Sequence, residues 1–86
     1  MIKVIDVDYI EDFKLKLKFN DGIKILVDIN SYLDGDVFRE LKNHENFIQF
    51  GLTATTIEWF NGADFAPEFL YEIGIPIPET KYIEIQ

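Results

Sequence analysis

The fold is decided by one stretch of the chain, residues 13–29, which reads Phe-Lys-Leu-Lys-Leu-Lys-Phe-Asn-Asp-Gly-Ile-Lys-Ile-Leu-Val-Asp-Ile. Apolar residues occupy every odd position on both sides of the central Asn-Asp-Gly, and lysines occupy the even positions of the first half. Because side chains alternate between the two faces of a strand, this pattern predicts two half-buried antiparallel strands joined by a turn.

The length of that turn follows from the same pattern. A two-residue Asp-Gly turn would place the apolar residues of the two strands on opposite faces of the sheet. A three-residue Asn-Asp-Gly turn pairs Phe19 with Ile23 and brings every odd residue to one face. It also places Lys18 opposite Lys24. Since a slip of one residue would expose the whole apolar set, burial favours the three-residue turn, with Gly22 at positive φ.

Further elements are predicted on both sides of this hairpin. In the strand predicted over 2–9, Ile5, Val7 and Tyr9 share one face while Val4 breaks the alternation. Two explanations are compatible with this break: a bulge in the strand, or a second face that is also covered. The elements are a strand over 2–9, a short helical turn around 37–41, a capped helix over 44–50, a strand over 53–60, a hairpin turn at 61–62, a short strand over 63–65 and a helix over 67–73.

Together these elements predict an α+β fold: a small antiparallel sheet of about five strands with two or three short helices packed on its apolar face. Seven residues are expected to be buried together in its core: Leu15, Leu17, Ile25, Val27, Phe47, Trp59 and Leu70.

One domain is expected to span residues 1–73, because a chain of 86 residues has room for a single small core. Residues 74–86 are expected to form a Pro-containing tail. Its prolines predict no regular structure across 74–79, and 80–86 are left open as an added edge strand or a loose tail.

The net charge of −8 is unevenly distributed along the chain. Residues 1–25 contain equal numbers of acidic and basic residues, so residues 26–86 carry the whole excess. This sign argues against general affinity for nucleic-acid phosphates or anionic membranes. An acidic surface suits a basic partner, and solubility explains the same excess more simply.

The residue types give little support for catalysis or for a metal or cofactor site. The chain has no cysteine, and His44 is its one histidine. The Asp34-Gly35-Asp36 sequence lacks the rest of a calcium-binding loop. No nucleophile elbow or phosphate-binding loop is present. The absence of a signal-peptide pattern and of a long apolar run predicts a cytoplasmic protein without membrane contact.

Two sequence motifs resemble a known family. They are Leu-x-Leu-x-Phe-x-Asp-Gly at 15–22 and Trp-x-Asn-Gly-Ala-Asp-x-x-Pro-Glu-x-Leu-Tyr at 59–71. Over about residues 3–73 the chain is similar to the small prokaryotic family catalogued as domain of unknown function 2442. The resemblance implies a small antiparallel sheet with short helices.

The resemblance also implies a partner. Members of this family are often encoded beside a small basic protein of domain of unknown function 4160, in pairs interpreted as toxin–antitoxin modules with the present family as the antitoxin. Some members carry an added helix-turn-helix domain, for which this chain has no room. Binding of nucleic acid by this chain alone is therefore not expected.

The residues and the resemblance together predict a non-enzymatic protein-binding module, antitoxin-like, that masks a small basic partner encoded nearby. The alternative is an adaptor or small-ligand-binding domain that uses the aromatic cluster around Trp59, which includes Phe65, Phe69 and Tyr71, although a core role for those aromatics is favoured. No cofactor is predicted, and homo-oligomerisation is left open. The candidate partner or ligand residues are Asp34, Asp36, Trp59, Asn61, Asp64, Glu68 and Tyr71. A candidate basic face, interpreted as a soluble sheet surface, consists of Lys14, Lys16, Lys18 and Lys24.

Overall fold

Two antiparallel sheets and three short helices make up the fold in the computed structural model, which describes residues 1–79. The elements are β1 (Val4–Glu11), β2 (Lys14–Phe19), β3 (Lys24–Asp28), α1 (Asp36–Arg39), α2 (His44–Phe47), β4 (Phe50–Leu52), β5 (Ile57–Trp59), α3 (Pro67–Ile73) and β6 (Ile75–Pro76), with 3₁₀ turns at Asn30–Tyr32 and Glu40–Lys42. One sheet has the strand order β1-β2-β3-β6, and β4 and β5 form the other. The predicted α+β class is confirmed, but the strands lie in two sheets instead of one sheet of about five.

The β2–β3 hairpin has the predicted register. Lys18 lies opposite Lys24 in the ladder. The N–H of Phe19 donates to the carbonyl of Ile23 at 2.9 Å, which closes the three-residue turn. Gly22 has a φ of 89°, a conformation that glycine adopts without steric cost. The whole apolar set of β2 and the residues at 25 and 27 are therefore buried on one face.

Strand β1 contains a bulge, which is one of the two alternatives that the sequence allowed. The ladder with β2 shifts by one residue between Val4 and Asp6. The extra residue turns Val4 into the core at 2% exposure and leaves Ile5 48% exposed. Val7 then faces inward opposite Leu17.

The core lies between the inner face of the four-stranded sheet and the elements of the second half of the chain. All seven residues predicted for it are buried. Aromatic contacts join the two halves: the ring centroids of Phe13 and Phe47 are 5.1 Å apart, and those of Phe47 and Trp59 are 5.6 Å apart. Within residues 1–79 the buried apolar residues are Val4, Leu15, Leu17, Phe19, Ile25, Val27, Ile29, Leu33, Leu41, Phe47, Ile57, Trp59, Ala63 and Leu70.

The second half of the chain departs from the predicted bounds at three places. The strand expected over 53–60 extends only over Ile57–Trp59, because the N–H of Thr53 donates to the carbonyl of Thr56 at 2.7 Å and 53–56 form the turn between β4 and β5. Helix α2 begins as predicted, since the Asn43 side chain accepts the N–H of Glu45 at 3.1 Å, but it ends at Phe47 instead of 50. Phe50 belongs to β4, because it pairs with Trp59 of β5. The strand expected over 63–65 is reduced to one bridge.

The start of the Pro-containing tail pairs with the sheet. Ile75 and Pro76 lie opposite Leu26 and Ile25 of β3, so the prediction of no regular structure across 74–79 is wrong at 75–76. Proline is accommodated there because an edge strand does not require every N–H to be bonded. The expectation for 80–86 lies outside the described residues.

Candidate functional site

Trp59, the first residue of the longer motif, belongs to the core. Its side chain is 1% exposed, and its indole Nε1–H donates to the carbonyl oxygen of Phe47 at 2.7 Å. A buried indole whose single donor is already bonded offers no polar group to a ligand. Trp59 therefore connects α2 to β5, which agrees with the core role favoured from the sequence.

Asn61 joins the hairpin turn after β5 to the helical region before it. Its Oδ1 accepts the N–H of Ala63 at 3.1 Å, which stabilises the turn. Its Nδ2 donates to the carbonyl of Val37 at 2.9 Å and to Oε2 of Glu40 at 3.0 Å. Asn61 thus fixes α1 and the following 3₁₀ turn against the hairpin.

Tyr71 joins α3 to the β2–β3 turn. Its hydroxyl donates to Oδ2 of Asp21 at 2.8 Å, and its ring packs edge-on against Phe19 with centroids 4.9 Å apart. The hydrogen bond to Asp21, partial desolvation and the negative charge of that carboxylate all raise the pKa of Tyr71 above its usual value of 10.0. This sequence-predicted partner residue is therefore occupied by a contact within the fold.

A row of four aromatic rings lies at the surface, and we name it the aromatic strip. Tyr32 and Phe69 have centroids 5.2 Å apart, Phe69 and Phe65 stack at 5.8 Å, and Phe65 and Phe38 lie 4.8 Å apart. Tyr32 is 38% exposed, and the three phenylalanines are half-buried. Trp59 supports the strip from the core side, with its centroid 5.9 Å from that of Phe65.

Four exposed carboxylates flank the strip along the chain, and we name them the acidic border. In sequence, Asp34 and Asp36 lie between Tyr32 and Phe38. Asp64 directly precedes Phe65, and Glu68 directly precedes Phe69. Within residues 1–79 none of these four carboxylates accepts a hydrogen bond or forms an ion pair. Arg39, next to Phe38, carries the one positive charge that adjoins a strip residue in sequence. The residues that adjoin or separate the strip rings in sequence therefore carry a negative net charge.

The candidate basic face is the outer face of the four-stranded sheet, and it carries acids as well as lysines. Lys14 lies opposite Glu11 on one side, with 3.5 Å between Nζ and Oε1, and opposite Asp28 on the other. The remaining charged neighbours in the ladder are Asp8 opposite Lys16, Asp6 opposite Lys18, and Lys24 opposite Lys18. The four lysines thus share this face with an equal number of carboxylates, which leaves little net positive charge for a nucleic acid.

A close polar contact connects β1 to α2. The hydroxyl of Tyr9 lies 2.7 Å from Nε2 of His44, and their rings meet edge-on. Over the described part of the chain, no group of three or more His, Asp or Glu side chains is arranged to hold a metal ion. No helix in that part is long and apolar enough to cross a membrane.

Comparison with known proteins identifies the family. The family described as protein of unknown function (DUF2442) matches residues 4–76. The chain belongs to this family. The match begins with the first residue of β1 and ends with the last residue of β6, so both sheets and α3 lie within the family domain. The comparisons with curated proteins and with solved structures give no match.

The four carboxylates of the acidic border were all candidate residues in the sequence, whereas only two of the four strip rings, Phe65 and Phe69, belonged to the aromatic cluster named there. Asp34, Asp36, Asp64 and Glu68 were candidate partner residues, and all four flank the strip. Tyr32 and Phe38 were not identified as members, because each lies more than 25 positions from its ring partner in the strip. The signal that the sequence does offer concerns Phe65 and Phe69. They are four residues apart at the start of a helix, each next to an acid, and residues four apart lie on the same side of a helix.

Proposed function

We propose that the protein is a non-enzymatic protein-binding module that masks a small basic partner, and that it does so through the aromatic strip and the acidic border. One observation carries the proposal. Four rings contact one another near the surface, and the four exposed carboxylates that flank them in sequence have no partner within residues 1–79.

The two parts of this surface have separate roles in binding. Aromatic rings supply much of the affinity at protein interfaces, because each buries a large apolar area with few rotatable bonds. Carboxylates around an apolar patch attract and orient a basic partner, and they act mainly on the association rate. The net charge of −8 extends this attraction beyond the contact surface.

A small-ligand site around Trp59 has less support. Such a site requires a concave pocket with accessible polar groups, whereas Trp59 is buried and its donor is used. Neither of two depressions in the described part of the chain is lined by the rings of the strip. One depression lies on the outer face of the main sheet, and the other lies between the β2–β3 turn and residues 76–79.

Co-expression with the small basic protein encoded nearby tests the proposal. We expect the two proteins to copurify. Asp34→Lys with Asp36→Lys should slow association and weaken its salt dependence. Phe69→Leu should mainly speed dissociation, because it removes part of the apolar contact.

Two matched controls separate the proposed surface from general charge and hydrophobicity. Glu45→Lys with Glu79→Lys makes the same change in charge at exposed residues away from the strip in sequence. Phe60→Leu removes a ring that is 56% exposed and lies outside the strip. Both controls should leave the kinetics nearly unchanged. Failure of the basic protein to copurify, together with binding of duplex DNA by the isolated domain at physiological salt, would overturn the proposal.

A further inference from the structure

We infer that the outer edge of β1 binds an extended segment of a partner protein, and that this segment adds to the main sheet as an antiparallel strand with basic side chains at alternate positions. The edge shares no residue with the aromatic strip or the acidic border, so the inference goes beyond the proposed function. Addition of a strand to a sheet edge is a common mode of peptide recognition, because the backbone groups of the edge supply the hydrogen bonds.

The register of the main sheet decides which backbone groups of β1 point outward. Within residues 1–79, β1 has a neighbouring strand only on the side of β2. The N–H of Phe19 bonds to the carbonyl of Ile23, so the odd residues of β2 direct their backbone groups to β3 and its even residues direct theirs to β1. Over 6–9, the even residues of β1 lie opposite even residues of β2. The backbone groups of Val7 and Tyr9 therefore point away from β2, to the outer edge.

Two hydrogen bonds agree with this direction and show how far the edge is covered. The N–H of Val4 donates to the carbonyl of Thr55 at 2.9 Å, so the turn between β4 and β5 covers the start of the edge. The N–H of Val7 donates to Oδ1 of Asp6 at 3.0 Å, and not to β2. Beyond these two bonds, the carbonyl of Val7 and the N–H of Tyr9 have no partner within residues 1–79. An added strand would satisfy both groups.

The two carboxylates beside this edge determine which side chains an added strand should carry. Asp6 and Asp8 are exposed on the outer face of the main sheet, opposite lysines of β2. The ion pair found within residues 1–79 joins Lys14 to Glu11, so neither aspartate forms one there. Residues directly opposite the aspartates in an added strand project from the same face, where a basic side chain meets a carboxylate. A partner carbonyl would also take over the N–H of Val7 and leave Oδ1 of Asp6 for that side chain.

The same carboxylates disfavour a second copy of the chain at this edge. Antiparallel pairing of two β1 strands about Val7 would place Asp6 of one copy opposite Asp8 of the other. Like charges directly opposite each other destabilise a sheet. The net charge of −8 adds to this repulsion, and it attracts a basic segment. The occupant is therefore a basic strand from another protein.

Backbone methylation of a peptide tests the pairing and leaves the domain unchanged. The parent peptide is Ser-Lys-Val-Lys-Val-Lys-Ser with blocked ends. When its lysines face the two aspartates of β1, its valine N–H groups point to β1 and its lysine N–H groups point away. Methylation of both valine amide nitrogens should therefore weaken binding at least about tenfold, because hydrogen bonds are lost and the methyl groups separate the strands. Methylation of two lysine amide nitrogens is the matched control and should change the affinity by less than about twofold.

Hydrogen exchange and charge variants locate the bound peptide. A saturating concentration of the parent peptide should slow exchange of the Tyr9 amide at least about tenfold, because that N–H becomes bonded. The amide of Leu17, which faces β3, is the internal control and should not change. Asp8→Asn should weaken binding about two- to fivefold and reduce its salt dependence. Glu79→Gln removes the same charge at an exposed residue beyond β6, at the opposite edge of the sheet, and should leave the affinity unchanged.

Three results with the peptides would overturn the inference. They are absence of binding by the parent peptide, a valine-methylated peptide that binds as well as the lysine-methylated one or better, and protection located at the aromatic strip instead of at Tyr9. A domain that sediments as a dimer with the Tyr9 amide already protected would show that a second copy occupies the edge, and would overturn it as well. Copurification of the basic protein tests the proposed function separately, so either hypothesis can fail while the other stands.

Discussion

We expect Gly74→Ala to destabilise the fold through a collision with Ile25. Gly74 follows α3, and its N–H donates to the carbonyl of Leu70 at 3.0 Å. Its φ of −70° and ψ of 152° are open to any residue, so backbone conformation does not require glycine here. The requirement is space, because a Cβ at this position would lie 2.8 Å from Cβ and 2.9 Å from Cγ1 of Ile25, and would overlap its Cδ1.

The expected cost follows from these distances. Favourable carbon–carbon contacts begin near ~3.5 Å, so an added methyl group would be roughly 0.7 Å too close to the Cβ of Ile25. That atom is attached to the backbone of β3 and cannot rotate away, so the chain after α3 must move off the sheet. Overpacking of this kind costs about 1–3 kcal/mol, a large share of the ~5–15 kcal/mol that stabilises a typical domain.

Urea unfolding followed by the fluorescence of Trp59 measures this cost. Gly51→Ala is the matched control, since no atom lies within 4 Å of its added Cβ and its φ is not positive. Its effect should stay within about 0.5 kcal/mol of zero. Combining Gly74→Ala with Ile25→Ala should cost less than the sum of the two single changes, because the second removes part of the obstacle. Equal stabilities of the Gly74→Ala and Gly51→Ala variants would refute the argument.

Three further predictions concern the main sheet and the contact that joins α3 to it. Leu17→Ala should cost about 2–5 kcal/mol, since it empties a fully buried site in the central strand β2; a loss in urea unfolding below ~1 kcal/mol would contradict this. Lys24→Glu should stabilise the fold by about 0.2–1 kcal/mol at low salt, because it replaces a like-charge pair with Lys18 by an opposite-charge pair; a gain that persists in molar salt would contradict the electrostatic cause. Tyr71 has a pKa raised by its hydrogen bond to Asp21, so this bond should stabilise the fold below about pH 10 and its contribution should be lost as the pH rises through the folded-state pKa. Phenolate absorbance should therefore show one tyrosine that titrates at lower pH in Asp21→Asn, and an unchanged titration would contradict the assignment.

Local pattern was sufficient where one face of an element is buried. The β2–β3 register, including the pairing of Lys18 with Lys24, follows from alternation alone, because a slip would expose every apolar residue. The start of α3 at Pro67 follows in the same way from the fixed φ of proline. These features depend on residues that are close in sequence, so the sequence alone is enough to predict them.

Prediction failed where the structure of a segment depends on its pairing with a distant part of the chain. Phe50 was assigned to a helix, yet it pairs with Trp59 across a separate two-stranded sheet. Pro76 was expected to prevent regular structure, yet the open edge of β3 accepts it. The aromatic strip was incomplete for the same reason, because two of its rings come from residues near position 35 and two from residues near position 67.

The Asp21 carboxylate has a consequence for the order in which the chain folds. Its Oδ1 accepts the N–H of Ile23, two residues away, and its Oδ2 accepts the hydroxyl of Tyr71, 50 residues away. The first bond forms within a hairpin, on a timescale of about microseconds, whereas the second must wait until a loop of most of the chain has closed. During synthesis the β2–β3 hairpin therefore emerges with its turn complete and its apolar face uncovered, and Tyr71 reaches the turn only after α3 has been made. A ribosome-bound chain that ends before α3 should accordingly be far more sensitive to protease than the finished domain.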